Sequence, residues 1–181
     1  RKGNYIAYFP SYAYMRAAHT LFTERFPEIR TVMQQGSMSE EEREAFLKVF
    51  DSNNEETLIG FCVMGGIFSE GIDLKGDRLI GTVIVGLGLP QISLTQDIIR
   101  DYYDNISGSG FSYAYQYPGI NKVLQAAGRV IRDENDRGVV VLIDERFTSP
   151  SYLPLLPEHC CGFGRLGNIN ELHPYLEQFW A

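Results

Sequence analysis

Five short apolar runs constrain this chain more than any other feature. They are YIAYF at 5–9, the segment Ile29 to Gln34, TLIGFCV at 57–63, LIGTVIV at 79–85 and VVVLI at 139–143. Each has strand length, and most are apolar at nearly every position, so both faces of the strand must be covered. That is the pattern of a parallel sheet, not of a sheet with one wet face. Helical segments separate the runs. Ser11 can cap a helix over Tyr12 to Phe26, which Pro27 ends. Ser39 and Glu42 have the spacing of a capping box and open a helix carrying Phe46, Leu47 and Phe50. Ile92 to Tyr103 reads as helical, Pro118 suits a helix start, and Leu172, Tyr175, Leu176 and Phe179 form the stripe of a final helix. Strands alternating with helices predict an α/β domain, a mostly parallel sheet with helices on both faces.

Composition narrows the function classes. A chain of 181 residues is one domain with room for a real core. The net charge of −7 supplies no global field for nucleic acid, so any such contact is local or shared with another domain. Cys62, Cys160 and Cys161 are too few for a disulfide framework and suit a reducing, cytoplasmic setting. No run is long enough to span a membrane as a helix. The chain starts just before a strand and without an initiator Met, so it reads as a piece of a longer protein.

The chemistry-bearing stretch is QAAGRVIR at 125–132, read as the last turns of a helix. Spacings of four and three put Gln125, Arg129 and Arg132 on one face, with Val123, Ala127, Val130 and Ile131 opposite. Gly128 leaves a bare spot beside the arginines where another surface can approach. Two arginines on a rigid face suit a phosphate whose charge grows in a transition state. A solvated basic face, paired with Asp133, Glu134 and Asp136, fits the same residues. Parallel sheets collect chemistry at the C-terminal ends of their strands. There stand Ser11 and Tyr12 after the first run, Ser69 to Asp73 after the third and Asp144 after the fifth.

SEGIDLKGDRL at 69–79 and QAAGRVIRDENDRGVVVLIDERF at 125–147 resemble motifs V and VI of superfamily 2 helicases. YIAYFPSYAYM at 5–15 resembles motif IV of the DinG/XPD-type DNA helicases. The three occur in order and cover most of the chain, to about Phe147. The resemblance implies the second RecA-like domain, of P-loop NTPase type, of an ATP-driven motor. ATP with Mg²⁺ would lie against a first RecA-like domain of the same polypeptide. Arg129 and Arg132 would reach the γ-phosphate, with Gln125 positioning them or the attacking water. Glu70, Gly71, Asp73 and Gly128 would lie near the nucleotide. Ser11, Tyr12, Gly66 and Ser69 would face single-stranded DNA, where hydroxyls and backbone N–H groups hold phosphates without a basic patch. Ser11 can equally serve as a plain helix cap, and Tyr12 as cover for the sheet edge.

Several other features are weighed against this reading. No GxxxxGK[ST] loop occurs, so the phosphate-cradling half of the site belongs to the first domain, and the isolated chain should neither hydrolyse ATP well nor unwind DNA. An iron–sulfur cluster, found in many family members, would also lie in the first half; three cysteines do not make its four-thiolate set. His159, Cys160, Cys161 and His173 match no zinc spacing, and GLGLP at 86–90 is a poor dinucleotide fingerprint. Tyr113, Tyr115 and Tyr117 alternate as one side of an extended segment or as a base-stacking platform. The competing functions are a non-catalytic RecA-like interaction module and the helicase-like part of a nuclease fusion.

Overall fold

The computed structural model describes residues 1–70, 72–131, 136–157 and 163–181, without the side chain of Glu70. All five apolar runs form strands: β1 (Asn4–Phe9), β2 (Arg30–Met33), β3 (Leu58–Val63), β4 (Gly81–Val85) and β5 (Val139–Ile143). They make one sheet in the order β2-β3-β1-β4-β5, parallel throughout. From β1 the chain moves outward to β2, then reverses and crosses back over β1 to β4 and β5. Right-handed crossovers send the two directions of travel to opposite faces. Among the described residues helix α1 (Tyr12–Arg25) therefore covers one face, where Met15 meets Ala7, Phe9, Phe61 and Val63. The other face carries α2 (Glu40–Lys48), the short α3 (Ile67–Glu70) and α5 (Tyr117–Ala127) over Ile6, Tyr8, Cys62 and Ile84. The cover is incomplete at β5, where Val140 and Ile143 are 38% and 47% exposed.

Local chemistry sets the boundaries. Ser11 caps α1 by accepting from the Tyr14 backbone N–H at 3.2 Å. Ser39 and Glu42 close the capping box of α2 in both directions. Ser93 caps α4 (Leu94–Ser107), which ends at Gly108 with φ +66°, a left-handed conformation suited to glycine. This shifts the helix expected over Ile92 to Tyr103 toward the C-terminus.

Two readings are corrected. Residues 112–116 are not extended but form a π-helical turn leading into α5. Tyr113 stacks on Tyr103 at 3.8 Å between ring centres and Tyr115 is buried, so the alternating tyrosines make helix contacts rather than one row. Helix α5 also stops earlier than periodicity suggests, at Ala127, with Gly128 as its cap.

Beyond β5 the chain returns to the core: Phe147, Tyr152 and Leu156 are buried there, and the Gln116 amide donates to the Ser151 carbonyl at 2.6 Å. The last helix, α6 (Leu172–Trp180), is held by Arg137, which donates to the Phe179 carbonyl and lies over its ring.

Gly60 lets α2 approach the sheet. A Cβ there would stand 2.7 Å from the fully buried Phe50 ring. Gly60→Ala should cost about 1–3 kcal/mol in urea unfolding, as overpacked core sites do. Gly36→Ala, with nothing within 4 Å, should change stability by less than about 0.5 kcal/mol.

Candidate functional site

Because every strand is parallel, the five strand-end loops lie along one edge of the sheet. The loop after β3 is the most heavily braced. Ser69 is fully buried; its hydroxyl and its backbone N–H both donate to the Gly66 carbonyl, at 2.8 and 2.9 Å. The buried Tyr8 hydroxyl donates to the Phe68 carbonyl at 2.8 Å, tying α3 to the middle of the sheet. Arg78 holds the far end by donating to the carbonyls of Phe50, Asp73 and Leu47.

Arg129 joins this loop to the end of α5. Past Ala127 the backbone tightens: the N–H groups of Arg129 and Val130 donate to the carbonyls three residues back, at 3.3 and 3.2 Å. Val130 is thereby buried at 1% exposure, while Arg129 turns back along the sheet edge. Its Nε donates to the Ser69 carbonyl at 2.9 Å and its Nη1 to the Ile72 carbonyl at 3.4 Å. The guanidinium is half-buried, so its fork is held in one orientation by the loop it touches.

The other expected residues divide into those near this link and those elsewhere. Gln125 is exposed on α5, one turn before the cap. Gly128 is exposed with an ordinary φ of −68°, so it is a bare surface rather than a strained one. Asp73 is exposed beside Ile72, 3.7 Å from Lys75, a solvent-screened pair of little energetic weight. Tyr12 and Gly66 line one depression, with Ser11 at the adjoining cap. Ser69 does not face that surface; its buried hydroxyl braces the loop from inside. Gly71, Arg132 and the side chain of Glu70 lie outside the described residues, as do His159, Cys160 and Cys161.

Sequence reasoning passed over two residues. Lys122 lies on the Gln125 face of α5, where its chain passes over Gly65 and its Nζ donates to the Gly88 carbonyl at 3.2 Å. Its spacing of three from Gln125 was the available signal. Gln34 is buried at the end of β2, and no motif marked it.

Among the described residues no group of three or more His, Cys, Asp or Glu side chains could hold a metal ion. Burial pushes the Cys62 thiol far up, which leaves it an inert core residue. No helix of the described residues is long and apolar enough to cross a membrane.

With this geometry in hand, comparison with known proteins is decisive. The family described as helicase C-terminal domain matches residues 1–161. The chain belongs to that family. Over 115 residues it is 33% identical to the ATP-dependent DNA helicase DinG of Photobacterium profundum, covering 62% of this chain and 16% of that protein. It is 29% identical over 178 residues to the ATP-dependent DNA helicase DDX11 of Mus musculus, covering 86% of this chain and 19% of the relative. A solved XPD helicase structure superposes with a TM-score of 0.70 at 24% identity, over 91% of this chain and 28% of that one. The domain is thus of DinG/XPD type with a RecA-like fold, and it spans less than a third of each of these relatives.

At the end of β5, Arg146 grips Asp144 with Nε at 2.8 Å and Nη2 at 2.6 Å. These hydrogen bonds hold the Asp144 carboxyl below its usual value of 3.8. A depressed folded-state pKa stabilises the fold above the unfolded value, and that contribution disappears as pH falls through the folded value. Asp144→Asn should therefore be less stable than wild type in urea unfolding at pH 7 and pH 5, and the gap should close below about pH 4.

Proposed function

We propose that this domain is the second motor domain of an ATP-dependent DNA helicase. It completes an ATP site whose phosphate loop and Mg²⁺ ligands belong to the first RecA-like domain, and it grips single-stranded DNA. The observation that carries the proposal is the Arg129 link to the carbonyls of Ser69 and Ile72. In this reading Arg129 and Arg132 face the γ-phosphate across the cleft and Gln125 orients them, while Asp73, Glu70 and Gly71 lie at the nucleotide's edge. Gly128 leaves the approach open.

The chemistry asks only for position and charge. Phosphoryl transfer to water develops negative charge on the transferred group, and a guanidinium fixed beforehand stabilises it without reorganising. The same guanidinium holds the loop that carries Gly66, so when the cleft opens after hydrolysis the movement of Arg129 with its domain carries the surface assigned to DNA. The retained Arg129 geometry favours the motor over an interaction module, which would need no such fork. The relatives named as ATP-dependent DNA helicases support the same reaction class.

The test is DNA-stimulated ATP hydrolysis by the full-length protein carrying this domain. Arg129→Ala should lower turnover by roughly 10³-fold or more, the scale of arginine-finger losses, while the protein stays folded. Arg129→Lys should recover little of it, because a lysine cannot reproduce the fork. Turnover within a few-fold of wild type in Arg129→Ala would transfer the assignment to an interaction module.

A further inference from the structure

Helix α4 stands away from the core. Among the described residues, none of its fourteen is buried. Its inner side leans on the π-helical turn, where Tyr103 stacks on Tyr113. Both ends are fixed. Ser93 caps the start, Gly108 turns the chain at the end, and the Asp104 carboxylate accepts from the Gly110 N–H at 2.7 Å. A Cβ on Gly110 would strike the Arg100 carbonyl, so the chain returns tightly along the helix. The helix is thereby a pre-formed arm, and docking against its outer side requires little further ordering.

That outer side is apolar. Leu94, Ile98, Tyr102 and Ile106 are each between 60% and 76% exposed. Their spacing of four makes them one continuous ridge of the helix surface. Single exposed apolar side chains are ordinary, but such a row is a patch on the order of a few hundred Å², the scale that marks an interaction site. Helical spacing sets Asp97, Asp101 and Asp104 along one side of the ridge. Arg100 is the one cation of the helix, and its guanidinium is held by Asp97 and Asp101, both at 3.2 Å. Three aspartates against one arginine leave the helix at −2, without a lysine. The acidic flank opposes DNA and anionic lipid. The patch is also well short of the ~800 Å² per partner of a stable interface, too little to hold a second copy by this face alone. A single amphipathic helix fits both features. Two ridges of residues four apart interlock at a crossing of about −50°, and Lys or Arg beside the partner's ridge would then meet Asp97 and Asp101.

We infer that the outer side of α4 docks a basic amphipathic helix of a partner protein. Leu94, Ile98, Tyr102 and Ile106 supply the apolar seam, and Asp97 and Asp101 select the partner's charge. The inference is independent of the motor role proposed above, because none of these residues belongs to the site assigned to nucleotide or DNA.

The test is fluorescence-anisotropy binding of two labelled helical peptides to this chain. Both carry the same row of leucines four apart, flanked by Lys in one and by Glu in the other. Wild type should bind the Lys-flanked peptide at least about tenfold more tightly at low salt, and the difference should shrink toward nothing near about 1 M salt. The paired substitution Ile98→Ser and Tyr102→Ser should weaken that binding by about tenfold or more with thermal unfolding unchanged, since both side chains face solvent. Asp101→Lys, at an exposed position, should remove the preference between the peptides, and it decides the matter by itself if the paired variant unfolds early. Equal binding of the two peptides, binding of neither, or a preference that survives Asp101→Lys would overturn the inference. So would a dimer of this chain in sedimentation that the paired substitution dissolves, because the ridge would then belong to a second copy.

Discussion

A parallel sheet can place only one kind of end beside another: all of its C-terminal loops share an edge. In this domain that constraint is joined to a reversal at β1, the central strand, whose outgoing loop leads to one face while those of its neighbours lead to the other. The consequence is a crevice at β1 and a continuous row of loops beside it. Among the described residues, Ser11, Tyr12, Gly66, Ser69 and Asp73 stand on that row, and Gln125, Gly128 and Arg129 at or just past the end of α5. The core serves the same arrangement. Ile6, Tyr8 and Cys62 pack beneath the helices of one face, Phe9 and Phe61 beneath α1 on the other, and neither face is free to slide.

On this base Arg129 takes a position that its place in the sequence does not disclose. It follows the helix cap, its backbone is drawn in by three-residue hydrogen bonds, and its guanidinium binds two carbonyls of the loop after β3. A guanidinium bound to uncharged carbonyls keeps its full charge, so the contacts orient the cation without neutralising it. The same loop is fixed from below by Tyr8 and internally by Ser69. Helix end, arginine and loop are therefore tied together, and under the proposed function this tie would link the surface assigned to nucleotide with the surface assigned to DNA.

Much of this was legible from residues alone. VVVLI became β5 at the expected bounds because every position in it is β-branched or leucine and the turn before it is charged. Ser39 and Glu42 were read correctly because a capping box is local chemistry. The end of α5 was not legible. Gln125, Arg129 and Arg132 keep helical spacing in the sequence, but burying Val130 against the core wins over extending the helix past Ala127. The tyrosines at 113–117 alternate like a strand, yet the Tyr103 ring offers Tyr113 a stacking partner that only a helical backbone reaches. Ser69 looked like a surface hydroxyl, although its small size and its carbonyl partner suit it to the interior. Gln34 carries no pattern at all; its role arises from Val63 and Tyr12, far away in sequence.

The connection through Arg129 is the claim on which the account stands, and hydrogen exchange measures it most directly. Backbone amides of residues 64–74 would be followed in this chain, wild type against Arg129→Gln, with the amides of β1 and β3 as the internal reference. The account predicts that the substitution speeds exchange in the loop by more than tenfold while the strands stay protected. Equal loop protection in both proteins would contradict it, because contacts such as those of Tyr8, Ser69 and Arg78 would then hold the loop without Arg129, and the arginine would transmit nothing.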